Sequence, residues 1–371
     1  MRSMATEPTR RTVLGLLAGS FLLPSAAFGN PARPLYLSAC AMKTGFGVGA
    51  FDDAGEIRYS FALPGRGHGF ACRHNGDLAV AFSRRPGLWM VVFDPRTGQL
   101  VKSLEAAEGR NFCGHGAFSA DGRRLFATEV IADTGEGVLG VYAADAGFRR
   151  IDEWPTEGLD PHEVLLLPDG RHLAVANGGI LMRSDLPRMK LNLTEMDPSV
   201  GYVDIRTGRV ARLIRPPAEL RQLSIRHMAV GRKGEVLIGM QYEGPESDEV
   251  PLVAMHEGPG SEAPLHFLSI PAEQQGALSQ YCGSVATDRS GRYLAVTSPR
   301  GSTVLICDLE NGTVNAMRNA TDVCGATRSV TGNGFILSSG TGRLTRWSGA
   351  PATLSSRTDL RWDNHIYPAA V

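Results

Sequence analysis

Five histidines are spaced so that their imidazoles can converge on one spot: His68, His115, His162, His227 and His365. Neutral imidazole is the commonest nitrogen ligand for transition metals such as iron, copper and zinc, and several on one rim can share an ion or a chelate. Asp160, Glu163 and Asp363 lie within three positions of these histidines. A carboxylate so placed serves as a ligand or as the outer acceptor that fixes an imidazole's tautomer. Histidine on an inner strand of a repeat also has a purely structural use, a hydrogen bond to a neighbouring repeat's backbone. The residue types leave both readings open.

The spacing says what must position them. His68, His115 and His162 are each 47 residues apart, and four of the five lead an apolar run that ends in a glycine turn: HGFACRHNG, HGAFSADG, HEVLLLPDG and HMAVGRKG. Two turn series alternate along the chain. The first is Asn75-Gly76, Asp121-Gly122, Asp169-Gly170, Lys233-Gly234, Ser290-Gly291 and Asn333-Gly334; the second ends in Gly98, Gly147, Gly208 and Gly312. Such dipeptides supply the positive φ of tight hairpins, and the runs between them are β-branched or aromatic. Each unit therefore holds four strands, A to D, with A–B and C–D turns on one face and D–A and B–C loops on the other. A recurrence of roughly 45–65 residues favours radial repetition over a β-sandwich pair. The expected fold is all-β, a seven-bladed propeller of four-stranded blades. Its first unit has only three strands, and the segment around His365 supplies the fourth, closing the ring with strands from both termini.

In this register the D–A loops deliver His365, His68, His115, His162 and His227 to blades one to five. Blade six offers Ser284, after Tyr281 and Cys282, and blade seven Cys324-Gly325-Ala326-Thr327. The expected site is therefore one-sided, centred near blades two to five. The alignment slips by one residue between blades, which leaves side-chain directions open. On the same face lies the long B–C loop of blade four, from Asn177 to Val200, with Arg183, Lys190, Asn192 and Glu195. Loops of this length in a compact repeat are commonly functional. Gln241, Tyr242 and Glu243 of blade five and Arg300 of blade six sit on matching loops. The ligand-binding candidates are Asn177, Arg183, Lys190, Gln241, Glu243 and Arg300, a polar funnel mouth suited to a small anion, a chelate or a partner's loop. Mutual salt bridging of these loops is the alternative.

Other features bound the function class. The net charge is zero with no basic stripe, which disfavours a nucleic-acid surface. Arg10-Arg11 precede an apolar stretch broken by Pro24 and small residues, so residues 1–29 read as a twin-arginine-type signal peptide and 34–371 as one propeller domain. An ordinary secretory signal is the alternative, and the apolar stretch is short for a membrane anchor. Six cysteines without CxxC or CxxCH disfavour a redox dithiol and covalent haem; they read as buried free thiols, with any pairing open. HExxH, GxSxG and a P-loop are missing, and GRGHGF has no helix after it to bind a dinucleotide. Glu129, Asp133 and Glu136 in EVIADTGEG match no calcium loop and read as a solvated acidic turn.

GRGHGFA, FCGHGAFSADGRRLFATE, GLDPHEVLLLPDGRHLAVANGGI, LSIRHMAVG, IGMQYEGP, LAVTSPRG and the closing RWDNH resemble the bacterial DUF1513 family from about residue 34 to the end. The resemblance implies a periplasmic WD40/YVTN-like propeller exported by the twin-arginine route. It also implies a neighbourhood of imelysin-type and di-haem oxidoreductase-like iron-uptake proteins as partners, and it carries over no catalytic residues. The expected function is non-catalytic binding of a metal (Fe, Cu or Zn), a metal chelate or a protein partner at the histidine face, within iron handling. The competing readings are a propeller enzyme, quinoprotein-like oxidoreductase or lactonase-like hydrolase, and a pure protein scaffold. Fold analogy does not choose among them.

Overall fold

The computed structural model describes residues 35–183, 189–317, 320–348 and 354–369; the segment read as a signal peptide lies outside them. Strands β1 (Leu35–Ala41), β2 (Phe46–Asp52) and β3 (Ile57–Leu63) begin the chain. Blade two follows as β4 (Gly67–Cys72), β5 (Ala79–Ser83), β6 (Trp89–Phe93) and β7 (Leu100–Glu105), and blade three as β8 (Arg110–Phe118), β9 (Arg124–Ile131), β10 (Glu136–Ala143) and β11 (Arg149–Leu159). Blade four is β12 (Pro161–Leu166), β13 (His172–Asn177), β14 (Ser199–Asp204) and β15 (Arg209–Ile214); blade five is β16 (Leu223–Val230), β17 (Val236–Tyr242), β18 (Val253–His256) and β19 (His266–Phe267). Blade six comprises β20 (Ser284–Thr287), β21 (Tyr293–Ser298), β22 (Thr303–Asp308) and β23 (Thr313–Met317), and blade seven β24 (Val323–Arg328), β25 (Phe335–Ser339), β26 (Arg343–Trp347) and β27 (Leu354–Arg357). Two short strands, β28 (Arg361–Trp362) and β29 (Tyr367–Pro368), both pair antiparallel with β1.

The architecture is the expected seven-bladed propeller: seven antiparallel sheets, with blade one completed by the C-terminal strands. Middle strands such as β5 (AVAFS) and β6 (WMVVF) are buried at every position, because each blade packs on a neighbour on both faces. At roughly 1.5–3 kcal/mol per buried large apolar side chain, these inter-blade layers hold the ring. Outer strands are half-exposed, and those of blades two to four carry charge, as with Lys102 on β7, Arg149 on β11 and Arg209 on β15, which discourages further edge pairing. Both turn series adopt positive φ at their glycines, from Gly76 to Gly334 and from Gly98 to Gly312.

Of the cysteines, Cys72 is half-buried and the other five are buried, each unpaired. The EVIADTGEG stretch corrects one expectation. Asp133 and Glu136 are exposed, but Glu129 is fully buried, accepting from the Tyr142 hydroxyl at 2.6 Å and Arg150 at 2.8 Å. It belongs to β9 rather than to a solvated turn, and its side chain points between strands.

Candidate metal centre

The innermost strands do not run straight past the axis. Between Gly67 and Phe70, β4 carries one more residue than β5 opposite it; between Phe112 and Gly116, β8 carries two more than β9. One-residue bulges recur at His162 in β12, at Arg226 in β16 and at Cys324 in β24. Blade one does the same with two extra residues between Trp362 and Pro368, where the Ser38 hydroxyl donates to the His365 carbonyl at 2.7 Å. Only β20 of blade six keeps regular register through Ser284. A bulge breaks the alternation of side chains and re-aims one. This is the physical content of the one-residue slips between repeats, and five of the six bulges bring a histidine inward.

The imidazoles meet on the axis. Ring centroids of His68, His115 and His365 lie 4.7–4.9 Å from one another, and His162 is 4.9 Å from His115. One nitrogen from each of His68, His115, His162 and His365 lies within 4.8 Å of the others, a set that can close on one ion. His227 adjoins the set, with its ring 4.9 Å from His162 and 4.8 Å from His365 but 6.4 Å from His115. The quartet thus draws on blades one to four, with blade five adjoining, rather than on blades two to five.

All five rings are buried, and burial holds them neutral: His68 is pushed down to about 4, and His115, His162, His227 and His365 well below the usual range. Neutral imidazole is the form that ligates. Outer partners orient the rings. Asp363 Oδ1 stands 3.5 Å from His68 Nδ1, leaving Nε2 as that ring's ligand atom, and the Tyr367 hydroxyl is 3.2 Å from His115 Nδ1. Glu163 lies 3.8 Å from His115 and 3.9 Å from His227, and accepts from the Met228 N–H at 2.7 Å. Burial raises the Glu163 carboxyl to about 8, against that hydrogen bond. Burial also pushes Asp363 upward, but the neighbouring His68 and the Arg66 guanidinium outweigh this and hold its carboxyl well below the usual range. Of the three acidic residues singled out beside the histidines, Asp363 and Glu163 thus face the rings, while Asp160 pairs with Arg85 and Arg226.

Two glycines make this approach possible. A Cβ at Gly69 would sit 2.6 Å from His115 Nδ1, and one at Gly114 2.7 Å from His68 Cδ2. Gly114 also has φ +106°, a conformation closed to L side chains. Gly114→Ala is expected to lower unfolding stability by ~1–3 kcal/mol in denaturant titration, since it must both strain the backbone and displace His68.

Beside the rings is an open pocket lined in part by His68, His162 and His227. Its walls are Arg84, Arg85, Arg226, Gln241, Tyr281 and Asn364. Of the residues expected at the funnel mouth, Gln241 lines the pocket and Arg300 stacks on Tyr281, its guanidinium carbon 4.4 Å from the ring centroid. The others are placed elsewhere. Asn177 is fully buried inside blade four, donating to Thr156 O at 3.2 Å and Ser199 Oγ at 3.1 Å, because it ends β13 rather than beginning the loop. Lys190 and Glu243 pair with each other, and Arg183 is exposed on the loop away from the pocket lining. Among the described residues, the loop from 177 to 200 contributes none of the lining. For Lys190 and Glu243 it is the salt-bridged alternative that the structure favours.

Sequence reasoning missed Arg84, Arg85, Arg226 and Asn364. Arg226 was legible in principle, since it immediately precedes His227, but only the bulge turns both neighbours inward. Arg84 and Arg85 come from a loop after β5 that has no periodicity to read.

No curated protein matches the chain. Among solved structures it is similar to a chain of Kuenenia stuttgartiensis hydrazine synthase, with 17% identity, a TM-score of 0.54 and coverage of 71% of each chain. At that identity the likeness shows the propeller fold alone. The model of the family described as "Protein of unknown function (DUF1513)" matches residues 61–369, a span that contains all five axial histidines and every wall residue of the pocket, and the chain therefore belongs to the DUF1513 family.

Proposed function

We propose that this propeller is a metal-binding protein whose histidine cluster holds one transition-metal ion, with His68, His115, His162 and His365 as ligands and His227 beside them. One observation carries the reading. His115 Nε2, His365 Nε2 and both ring nitrogens of His162 and of His227 are buried without a hydrogen-bond partner. A buried polar atom left unpaired costs about 1–3 kcal/mol, so six in one cluster is a heavy burden for packing to bear. The structural use of histidine, a bond to a neighbouring blade's backbone, does not account for these atoms. An all-imidazole donor set suits copper, zinc or iron over magnesium or calcium.

Metal-free protein is to be titrated with Cu(II), Zn(II) and Fe(II) and followed by calorimetry. The expected result is one ion per chain for at least one of them; no stoichiometric uptake of any would overturn the reading. At a free-metal concentration a hundredfold above Kd, binding should stabilise the fold by ~2.7 kcal/mol. Thermal unfolding with the ion, and again after a chelator, checks this.

Export and a place in iron handling are part of the same proposal. Their support is the Arg10-Arg11 signal pattern and the neighbourhood implied by the family resemblance, which makes imelysin-like and di-haem oxidoreductase-like proteins the candidate partners. Cell fractionation and the metal found in protein purified from its native compartment test both.

A further inference from the structure

The charges around the pocket do not balance. Arg84, Arg85 and Arg226 line it, Arg66 stands behind them on Asp363, and two carboxylates are shared among the four. Asp160 is shared by Arg85 and by Arg226, whose Nη1 is 2.6 Å away. Asp363 is shared by Arg66 at 2.6 Å and Arg84 at 3.8 Å. Glu163 is turned to His115, His227 and the Met228 N–H rather than to an arginine, and Glu243 is taken by Lys190. Arg226 is 1% exposed, lines the pocket, and keeps its Nε without a hydrogen-bond partner. Burial and the neighbouring Arg85 charge push Arg226 below its ordinary range, as burial and Arg66 do for Arg84. A divalent ion on the histidines would add further positive charge beside these groups. A guanidinium fork presents parallel donors matched to paired oxygens, and such a pair is the missing counter-charge.

We infer that the pocket takes a small oxygen anion, a carboxylate or inorganic oxyanion, that bridges the histidine-bound metal and the Arg84, Arg85 and Arg226 guanidiniums. The inference rests on the metal-centre reading and names the second ligand of that same site. With an ion held by the histidines, one oxygen of the anion would serve as a further ligand on the side where His68, His162 and His227 line the pocket. The remaining oxygens accept from the arginines. Gln241 is held by its own bond to the Cys282 carbonyl at 3.1 Å, which fixes that wall. Such a protein binds its metal as a ternary complex and discriminates by anion as well as by ion.

The test is equilibrium dialysis of labelled oxalate, bicarbonate and phosphate against full-length protein, metal-free and loaded with Cu(II), with the copper electron paramagnetic resonance spectrum read in parallel. One anion per loaded chain is expected, at least tenfold tighter than to metal-free protein, with a shifted copper spectrum. Preference among the three separates carboxylate from carbonate and phosphate chemistry. Arg84→Gln should lose the tenfold gain at unchanged copper stoichiometry, and Arg84→Lys should recover only part of it, having the charge without the fork. Equal affinity for loaded and metal-free protein, or no anion binding to loaded protein, overturns the bridge while leaving the metal centre standing. Failure to load copper, zinc or iron at all is seen before any anion is added, and removes both.

Discussion

His115→Ala should weaken metal binding by at least ~100-fold, measured by competition with a chelator of known affinity. Altering an outer partner of a metal ligand already costs ~10–100-fold, so removing the ligand costs more. His115 is the choice because its ring lies within 4.9 Å of each of the other three in the quartet, His68, His162 and His365. Its Nδ1 faces Tyr367, so the unpartnered Nε2 is the atom offered to the ion. Tyr367→Phe, which removes only the hydroxyl, should fall in the ~10-fold range set by outer partners. His227→Ala should have a much smaller effect than His115→Ala, because His227 lies outside the set that closes on one point. Exposed His74, on the A–B turn, is the control and its alanine variant should bind as the parent does. Parent-like affinity in His115→Ala would sink the four-histidine assignment. Equal losses at His115 and His227 would instead require five ligands or a second ion.

Much of this was readable in the chain, for a definite reason. Turn glycines answer to local backbone sterics and inner strands to burial, and both repeat with the blade, so the sevenfold ring and its closure at His365 follow from spacing alone. The five histidines were legible in the same way. What the spacing did not carry was direction. Bulges at His68, His115, His162 and Arg226 insert one or two residues, and their effect depends on pairing across to β5, β9, β13 and β17. The arginine wall was missed for a related reason. Arg84 and Arg85 leave one blade, Arg226 comes from another, and they are brought to one pocket by closure of the ring rather than by sequence proximity. The blade-four loop is a different case. Its length and polarity suggest a cap, and among its described residues Lys190 pairs with Glu243 while Asn192 accepts from the Leu181 N–H at 2.7 Å.

Asp160→Asn is expected to destabilise the fold by ~3–5 kcal/mol in denaturant unfolding, the cost of leaving buried charge uncompensated. Asp160 is 2% exposed and sits between β11 and β12; its two oxygens are divided between Arg85 from blade two and Arg226 from blade five. One carboxylate therefore ties blades two and five to the junction of β11 and β12. Gly178 makes the space, since a Cβ there would lie 2.9 Å from Asp160 Oδ2 and 3.2 Å from Arg226 Cζ. Asparagine is the informative replacement because Asp160 has φ +52°, in the left-handed region that asparagine tolerates. Asp160→Ala should lose a further ~1–2 kcal/mol from that backbone strain, so the difference between the two variants isolates conformation from charge. Adding Arg226→Gln to Asp160→Asn removes the more deeply buried of the stranded charges and should recover part of the loss, as coupled partners in one network do. If Asp160→Asn unfolds like the parent, the pairs are not what holds these blades. In that case the arginines would owe their placement to the anion alone, and oxalate on the metal-loaded variant should then bind at least as tightly as on the parent.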